Sequence, residues 1–217
     1  MKIQTSAESG SIRLLLFFVI IMIGCFWKGG QDLYVALSNR QPAAMSYDTF
    51  VKTKPQAAWL RLTNCTLDLS RVAFHSVKGV NRPYELFIPL TSPGLTNDEI
   101  HVVLATKNPE LIATTIEMQS LKTDAETAAW AIKNHERLFP ERTVQGLARF
   151  GVDMKDSERR KLMALDQDIV KDFTMIDDGS KPNLNSGLSF CGVGLLFLLG
   201  GAWYLRSRRE ESAADVL

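Results

Sequence analysis

LSFCGVGLLFLLGGAWYL, residues 188–205, is an unbroken run of 18 uncharged apolar and small residues, followed directly by Arg206, Arg208 and Arg209. About 18 such residues is the length a helix needs to cross the hydrocarbon core of a bilayer. The stretch predicts a membrane-spanning helix over 187–205, with a cytoplasmic tail over 206–217. Arg206, Arg208 and Arg209 set its direction, because Lys and Arg concentrate on the cytoplasmic flank of short segments.

A second apolar run, LLLFFVIIMIGCFW (residues 14–27), stands near the other end of the chain. It is short enough for a signal-peptide core to compete with a true span. An uncleaved helix over 12–30, behind a tail over 1–11, fits best, with Arg13 and Lys28 reaching to the two interfaces. Cleavage after Trp27 would put Lys28 where a small residue belongs. Met22-Ile23-Gly24-Cys25 resembles a lipidation signal, but Phe26-Trp27 continue the apolar run where a polar tether is expected. Lys2 and Arg13 on one side and the arginine cluster on the other predict both termini inside. Residues 31–186 are then extracytoplasmic.

The charge balance restricts what that middle part binds. Lys2, Arg13, Arg206, Arg208 and Arg209, with Glu8, Glu210, Glu211 and Asp215, lie outside residues 28–184, which leaves 20 charges of each sign within. A balanced domain lacks the basic footprint that nucleic acid requires. Of the three cysteines, Cys65 alone lies in the middle, so no disulfide within the domain is available and the fold must rest on its core.

Residues 31–57 read as a connector with a short helix, in which Ser46 caps Tyr47, Phe50 and Val51 ahead of Pro55. From residue 58 the period becomes two. Trp59–Leu69 reads as a strand whose apolar parity switches from Leu60 and Leu62 to Cys65 and Leu67, as a bulge near Thr63-Asn64 would produce. Strands follow over Val72–Val77 and from Tyr84 to Leu90, and Ile100–Ala105, apolar on both faces apart from His101, reads as central. Asn108-Pro109 opens a helix to Leu121. Thr123 and Glu126 form a capping box for another over Asp124–Phe139, with Ala128, Ala129, Ile132 and Phe139 on its packed face. Val144–Val152 is a strand, Asp156 or Ser157 caps a helix to about Leu165, and Phe173–Ile176 is the last strand. Residues 180–186 form a polar tether. This order predicts an α+β domain over 58–179, built on a mostly antiparallel sheet with added helices. A small barrel satisfies the same pattern.

Chemistry leaves little trace. His75, His101 and His135 are isolated, so no metal site is expected. No nucleophile-elbow, phosphate-loop, dinucleotide-binding or H-E-x-x-H motif is present, and no cofactor is expected. Cys65 carries the parity of a core residue, although Asn64-Cys65-Thr66 also matches a glycosylation sequon. Strand alternation alone explains Asp68 and Glu85. Asp166, Asp168, Asp172, Asp177 and Asp178 lack calcium-loop spacing and alternate with lysines, as a solvated face does. In the second apolar run Gly187, Cys191, Gly194 and Gly201 share one helical stripe, a face on which another helix can approach closely.

The expected protein is therefore a two-span membrane protein carrying a non-catalytic interaction domain, a scaffold or accessory subunit. Its partners are the lipid bilayer and a protein, or a second copy, met through the membrane helices. The alternative is a membrane-anchored hydrolase assembled from residues distant in sequence, with His101, Asp68 and Cys65 as its candidates.

Overall fold

A computed structural model of the chain describes residues 4–76, 82–93, 99–150 and 168–214, with side chains described between 16 and 206 of these. Two compact units are present: Gln41–Lys181, and the terminal segments Met1–Arg40 with Pro182–Leu217. The first begins some way before residue 58 and takes in part of the expected connector.

Its elements are β1 (Ala43–Ser46), α2 (Tyr47–Thr53), β2 (Trp59–Leu67), β3 (Ala73–Ser76), β4 (Pro83–Thr91), β5 (Ile100–Thr106), α3 (Pro109–Gln119), α4 (Asp124–Lys133), α5 (His135–Leu138), β6 (Glu141–Phe150) and β7 (Ile169–Asp178). The strands make one mixed sheet in the order β1-β2-β6-β7-β5-β4-β3, and β2 pairs additionally with β4. The domain is thus α+β. β1–β2 and β5–β7 run parallel and the other pairings antiparallel. The parallel pairs arise where an intervening element carries the chain back across the sheet, α2 before β2 and the α3–β6 segment before β7.

The parity switch in β2 is a bulge. Leu62 pairs with Val144 but Cys65 with Arg142, so β2 spends one residue more than β6 over this interval. Asn64 takes up the strain at φ 54°, a left-handed conformation that asparagine tolerates better than most residues. Leu60 and Leu62 before the bulge, and Cys65 and Leu67 after it, consequently all enter the same core. Beyond the bulge, Thr66 and Leu67 pair with Thr91 and Leu90 of β4. Hydrogen bonding therefore runs in a cycle through β2, β6, β7, β5 and β4.

Both faces of β4 and β5 are covered. Leu86, Ile88, Leu90, Val102 and Leu104 join the main core, while Phe87, Val103 and Ala105 alternate into a second cluster with Phe173 and Met175. This is the unbroken apolar pattern expected of a central strand.

Helix starts follow their capping residues. Ser46 accepts from the amide of Thr49, Asn108 from those of Glu110 and Leu111, and Thr123 and Glu126 form the reciprocal box. The continuous helix expected over Asp124–Phe139 is broken at Asn134, whose side chain bonds back to the Trp130 carbonyl at 3.0 Å. The break changes the packed face. Trp130, Ala131 and the expected Phe139 lie against the core and Leu138 is buried, whereas Ala128 and Ala129 are exposed and Ile132 is 83% exposed. The Trp130 indole donates to Glu117 of α3 at 2.9 Å. The helix expected after Asp156 lies outside the described residues.

The other unit holds α1 (Gln4–Ser38) and α6 (Leu184–Ala214). Within them, Leu16–Ser38 and Leu184–Arg206 are long and apolar enough to cross a membrane. Both overrun the expected 12–30 and 187–205: α1 absorbs the start of the connector, and α6 the end of the polar tether.

Gly146 of β6 marks the tightest strand contact, where a Cβ would run into the backbone carbonyl of Asp177 and lie 2.8 Å from Ile176 Cγ2. Gly146→Ala should destabilise the domain by about 2 kcal/mol or more, the upper part of the overpacking range. Urea unfolding of the full chain in detergent, followed by tryptophan fluorescence, measures it; an unchanged midpoint would contradict the contact.

Candidate helix-pairing interface

α1 and α6 are antiparallel, since contacts at rising positions of one meet falling positions of the other. Leu33 and Gly29 face Gly187, Gly29 also faces Cys191, Phe26 faces Gly194, and Phe18 meets Phe197 with ring centroids 5.6 Å apart. The first contacts are backbone on backbone. A Cβ on Gly29 would lie 2.7 Å from Cys191 Sγ and 2.9 Å from both the Cys191 nitrogen and the Gly187 carbonyl oxygen. One on Gly187 would lie 2.7 Å from Leu33 Cγ and 2.9 Å from the Leu33 nitrogen. Only glycine fits at either position without moving a helix. At Gly194 the neighbour is the Phe26 ring, 3.1–3.3 Å from such a Cβ.

A polar clasp lies beside the glycines. Ser186 Oγ donates to Asp32 Oδ2 across the helices at 2.9 Å, and Lys28 Nζ holds Asp32 Oδ1 at 2.6 Å one turn away. Asn183 accepts from the Ser186 amide at 3.2 Å and so starts α6. Each of the two Asp32 oxygens has its own donor, which holds the side chain in one orientation.

Gly187, Cys191 and Gly194 thus all touch α1. Gly201, on the same stripe, has no atom within 4 Å of where its Cβ would stand. Arg206 is exposed near the end of the apolar segment, while the side chains of Arg13, Arg208 and Arg209 lie outside those described. The α1 half of the contact, Gly29 with Phe26 and Leu33, is missing from the sequence reading. Its trace was the four-residue spacing Cys25-x-x-x-Gly29, small residues on one helical face.

Cys65, Asp68 and the three histidines each have local structural contacts. Cys65 is fully buried, its thiol pointing to the Thr63 carbonyl at 3.7 Å, and burial pushes its pKa up to about 12. Asp68 is no outward strand residue. It caps the turn Leu69–Arg71, accepting from the amide and hydroxyl of Ser70 at 3.0 and 2.5 Å, with Arg71 Nε at 3.2 Å. His101 Nε2 lies 3.5 Å from Glu99, and His75 Nδ1 lies 3.7 Å from Glu85. The His135 and Phe139 rings are tilted against each other, with centroids 5.0 Å apart.

Asp166 lies outside the described residues, and the other carboxylates of the acidic strip are paired with cations rather than with one another. Asp168 meets Arg71, Asp172 meets Lys54, Asp177 meets Arg149, and Asp178 accepts from Arg142 and Thr106. The Lys54 ammonium holds the Asp172 carboxyl below its ordinary range, and Arg137, with the Trp130 indole, does the same for Glu117. Among the described residues no group of three or more His, Cys, Asp or Glu is placed to hold a metal ion. Comparison with protein-family models, curated proteins and solved structures finds no match to the chain.

Two outcomes follow. Gly29→Cys should crosslink within the chain to Cys191 under copper–phenanthroline oxidation, while Gly30→Cys, with open space around it, should not. Peptide mapping by mass spectrometry reads both. A Gly30-specific link would reverse the helix face. Cys65 should resist a soluble maleimide in the folded protein and react after denaturation, since a pKa of about 12 leaves roughly one thiolate in ten thousand at pH 8. Prompt native labelling would contradict its burial.

Proposed function

We propose that the chain is a two-span integral membrane protein, with both termini cytoplasmic and the domain Gln41–Lys181 displayed on the other side as a non-catalytic interaction module. The observation that carries this reading is the antiparallel glycine contact between two apolar helices, Gly29 against Gly187 and Cys191. A helical hairpin of this kind brings both chain ends to one face of a bilayer. Arg13, Arg206, Arg208 and Arg209 favour the cytoplasmic face for them.

Within the domain, the cycle of strand pairings supports a small closed barrel flanked by β1 and β3. The side chains with chemical potential serve the fold: Cys65 fills the core and Asp68 caps a turn. This favours a scaffold or accessory subunit over a hydrolase, with the domain as the element that meets a protein partner. The stripe Gly187–Gly194 is occupied by α1 of the same chain, so its first role is to close the hairpin.

The orientation is tested by cysteine accessibility in a background with Cys25 and Cys191 changed to Ala. A membrane-impermeant maleimide applied to intact cells should label Lys181→Cys and leave Ser212→Cys unmodified until the membrane is permeabilised. The opposite pattern would overturn the topology.

A further inference from the structure

The glycine contacts fix which residues of α1 and α6 share a depth. Gly29 meets Gly187 and Cys191, and Leu33 meets Gly187, so residues 28–32 of α1 run alongside residues 187–191 of α6. Counting back along the antiparallel pair, Trp27 stands about level with Gly192 and Leu14 with Leu205. The depth that is apolar on both helices is therefore 14 residues, 14–27 against 192–205. At about 1.5 Å per residue it measures about 21 Å, where a typical hydrocarbon core is about 30 Å thick.

Lys28 marks one limit of that depth. Its side chain is 55% exposed, and its ammonium is held by Asp32 one turn further along α1, away from the apolar residues. Ser186 of α6 closes on the other Asp32 oxygen, so the polar end belongs to both helices. Trp27 beside Lys28 and Trp203 at the opposite end are both exposed, as the aromatic residues of membrane boundaries are. Along the helix axes the two stand roughly 16 Å apart. By hydropathy the apolar segment of α1 extends to Ser38. Sinking the pair to bury that segment would draw Lys28, Asp32 and Ser186 into hydrocarbon, where charged groups are the costliest to place. A thinner bilayer avoids this at a modest cost per Å of mismatch. Tilting would shorten the shared depth further.

We propose that the outer faces of this hairpin fit a bilayer thinner than average, one of short-chain phospholipids, and that Lys28 sets the limit. The inference rests on the two-span reading. α6 alone, with 18 apolar residues, would reach about 27 Å. It cannot use that length independently, because the glycine contacts and the Ser186–Asp32 bond pin it to the shorter run of α1.

The full chain is first tested for alkaline carbonate extraction from membranes. Release into the supernatant would overturn the two-span reading and this inference with it. If the chain stays in the membrane fraction, the purified protein is reconstituted in brominated dioleoyl phosphatidylcholine, which quenches the fluorescence of Trp27 and Trp203. Unbrominated dimyristoleoyl or dierucoyl phosphatidylcholine then competes for the hairpin surface, and recovery of fluorescence gives the relative affinity of each. Wild type should favour the short-chain dimyristoleoyl lipid over the long-chain dierucoyl lipid about threefold. Lys28→Leu carries the apolar run of α1 on to Gly30 while leaving Asp32 and Ser186 in place, and should reduce that ratio to about half. Equal affinity for the two lipids, a preference of wild type for the longer one, or an unchanged ratio in Lys28→Leu would overturn the inference and leave the topology standing. Circular dichroism matching wild type establishes that the variant is folded.

Discussion

The Gly187 carbonyl oxygen stands 2.9 Å from the place a side chain on Gly29 would occupy, and the Leu33 nitrogen is equally close to the place one would occupy on Gly187. This reciprocal absence of side chains lets two long apolar helices meet backbone to backbone. In a bilayer, where no hydrophobic drive brings helices together, close packing and interhelical hydrogen bonds would carry such an association. Here the second ingredient is beside the first: Ser186 donates to Asp32 less than one turn from the glycines. Such bonds average about 0.6 kcal/mol in membrane proteins. That makes the clasp a device for register more than for strength, since sliding α6 by one residue would lose both the bond and the glycine match.

The domain depends on a constraint of the same kind, a single local irregularity with long consequences. β2 must pair with β6 along one stretch and with β4 at its end, and a regular strand keeps one side-chain parity throughout. The extra residue at Thr63-Asn64 resets the parity and bends the strand. Leu67 can then lie in the core with Leu60 while its backbone reaches Leu90 of β4. Without the bulge, Cys65 and Leu67 would face away from the core, and a one-residue slip of this kind exposes every apolar side chain beyond it.

What the sequence made legible follows from how local each signal is. Caps at Ser46, Asn108 and Thr123 and the β2 bulge are written within a few neighbouring residues and stand where they were read, while the two apolar runs lie within longer helices. The packed face was legible at Phe139 but not at Ala128, Ala129 and Ile132, because a break at Asn134 that periodicity alone does not mark separates the two parts, and Trp130 and Ala131 pack instead. β1 was missed because four residues, AAMS, carry almost no strand pattern. They become a strand only by pairing in parallel with Leu60–Thr63. The α1 side of the helix interface escaped because Gly29 sits beside Lys28, in a segment that reads as the end of an apolar run. Its meaning depends on a partner more than 150 residues later.

Asp68, Cys65, Asp177 and Asp178 are each engaged by the domain's own turns, core and strand pairs. A catalytic carboxylate or thiol needs an open face and a proton-transfer partner. Asp68 turns inward to a turn it caps, Cys65 turns inward to leucines, and Asp177 and Asp178 are held by arginines from β6, the strand alongside. Those ion pairs tie β6 to β7 near the end of the sheet, and Thr106 adds β5 through its bond to Asp178. The charges of the domain balance, and the formal net charge of +1 falls on the tails, where five Lys and Arg stand against four Asp and Glu.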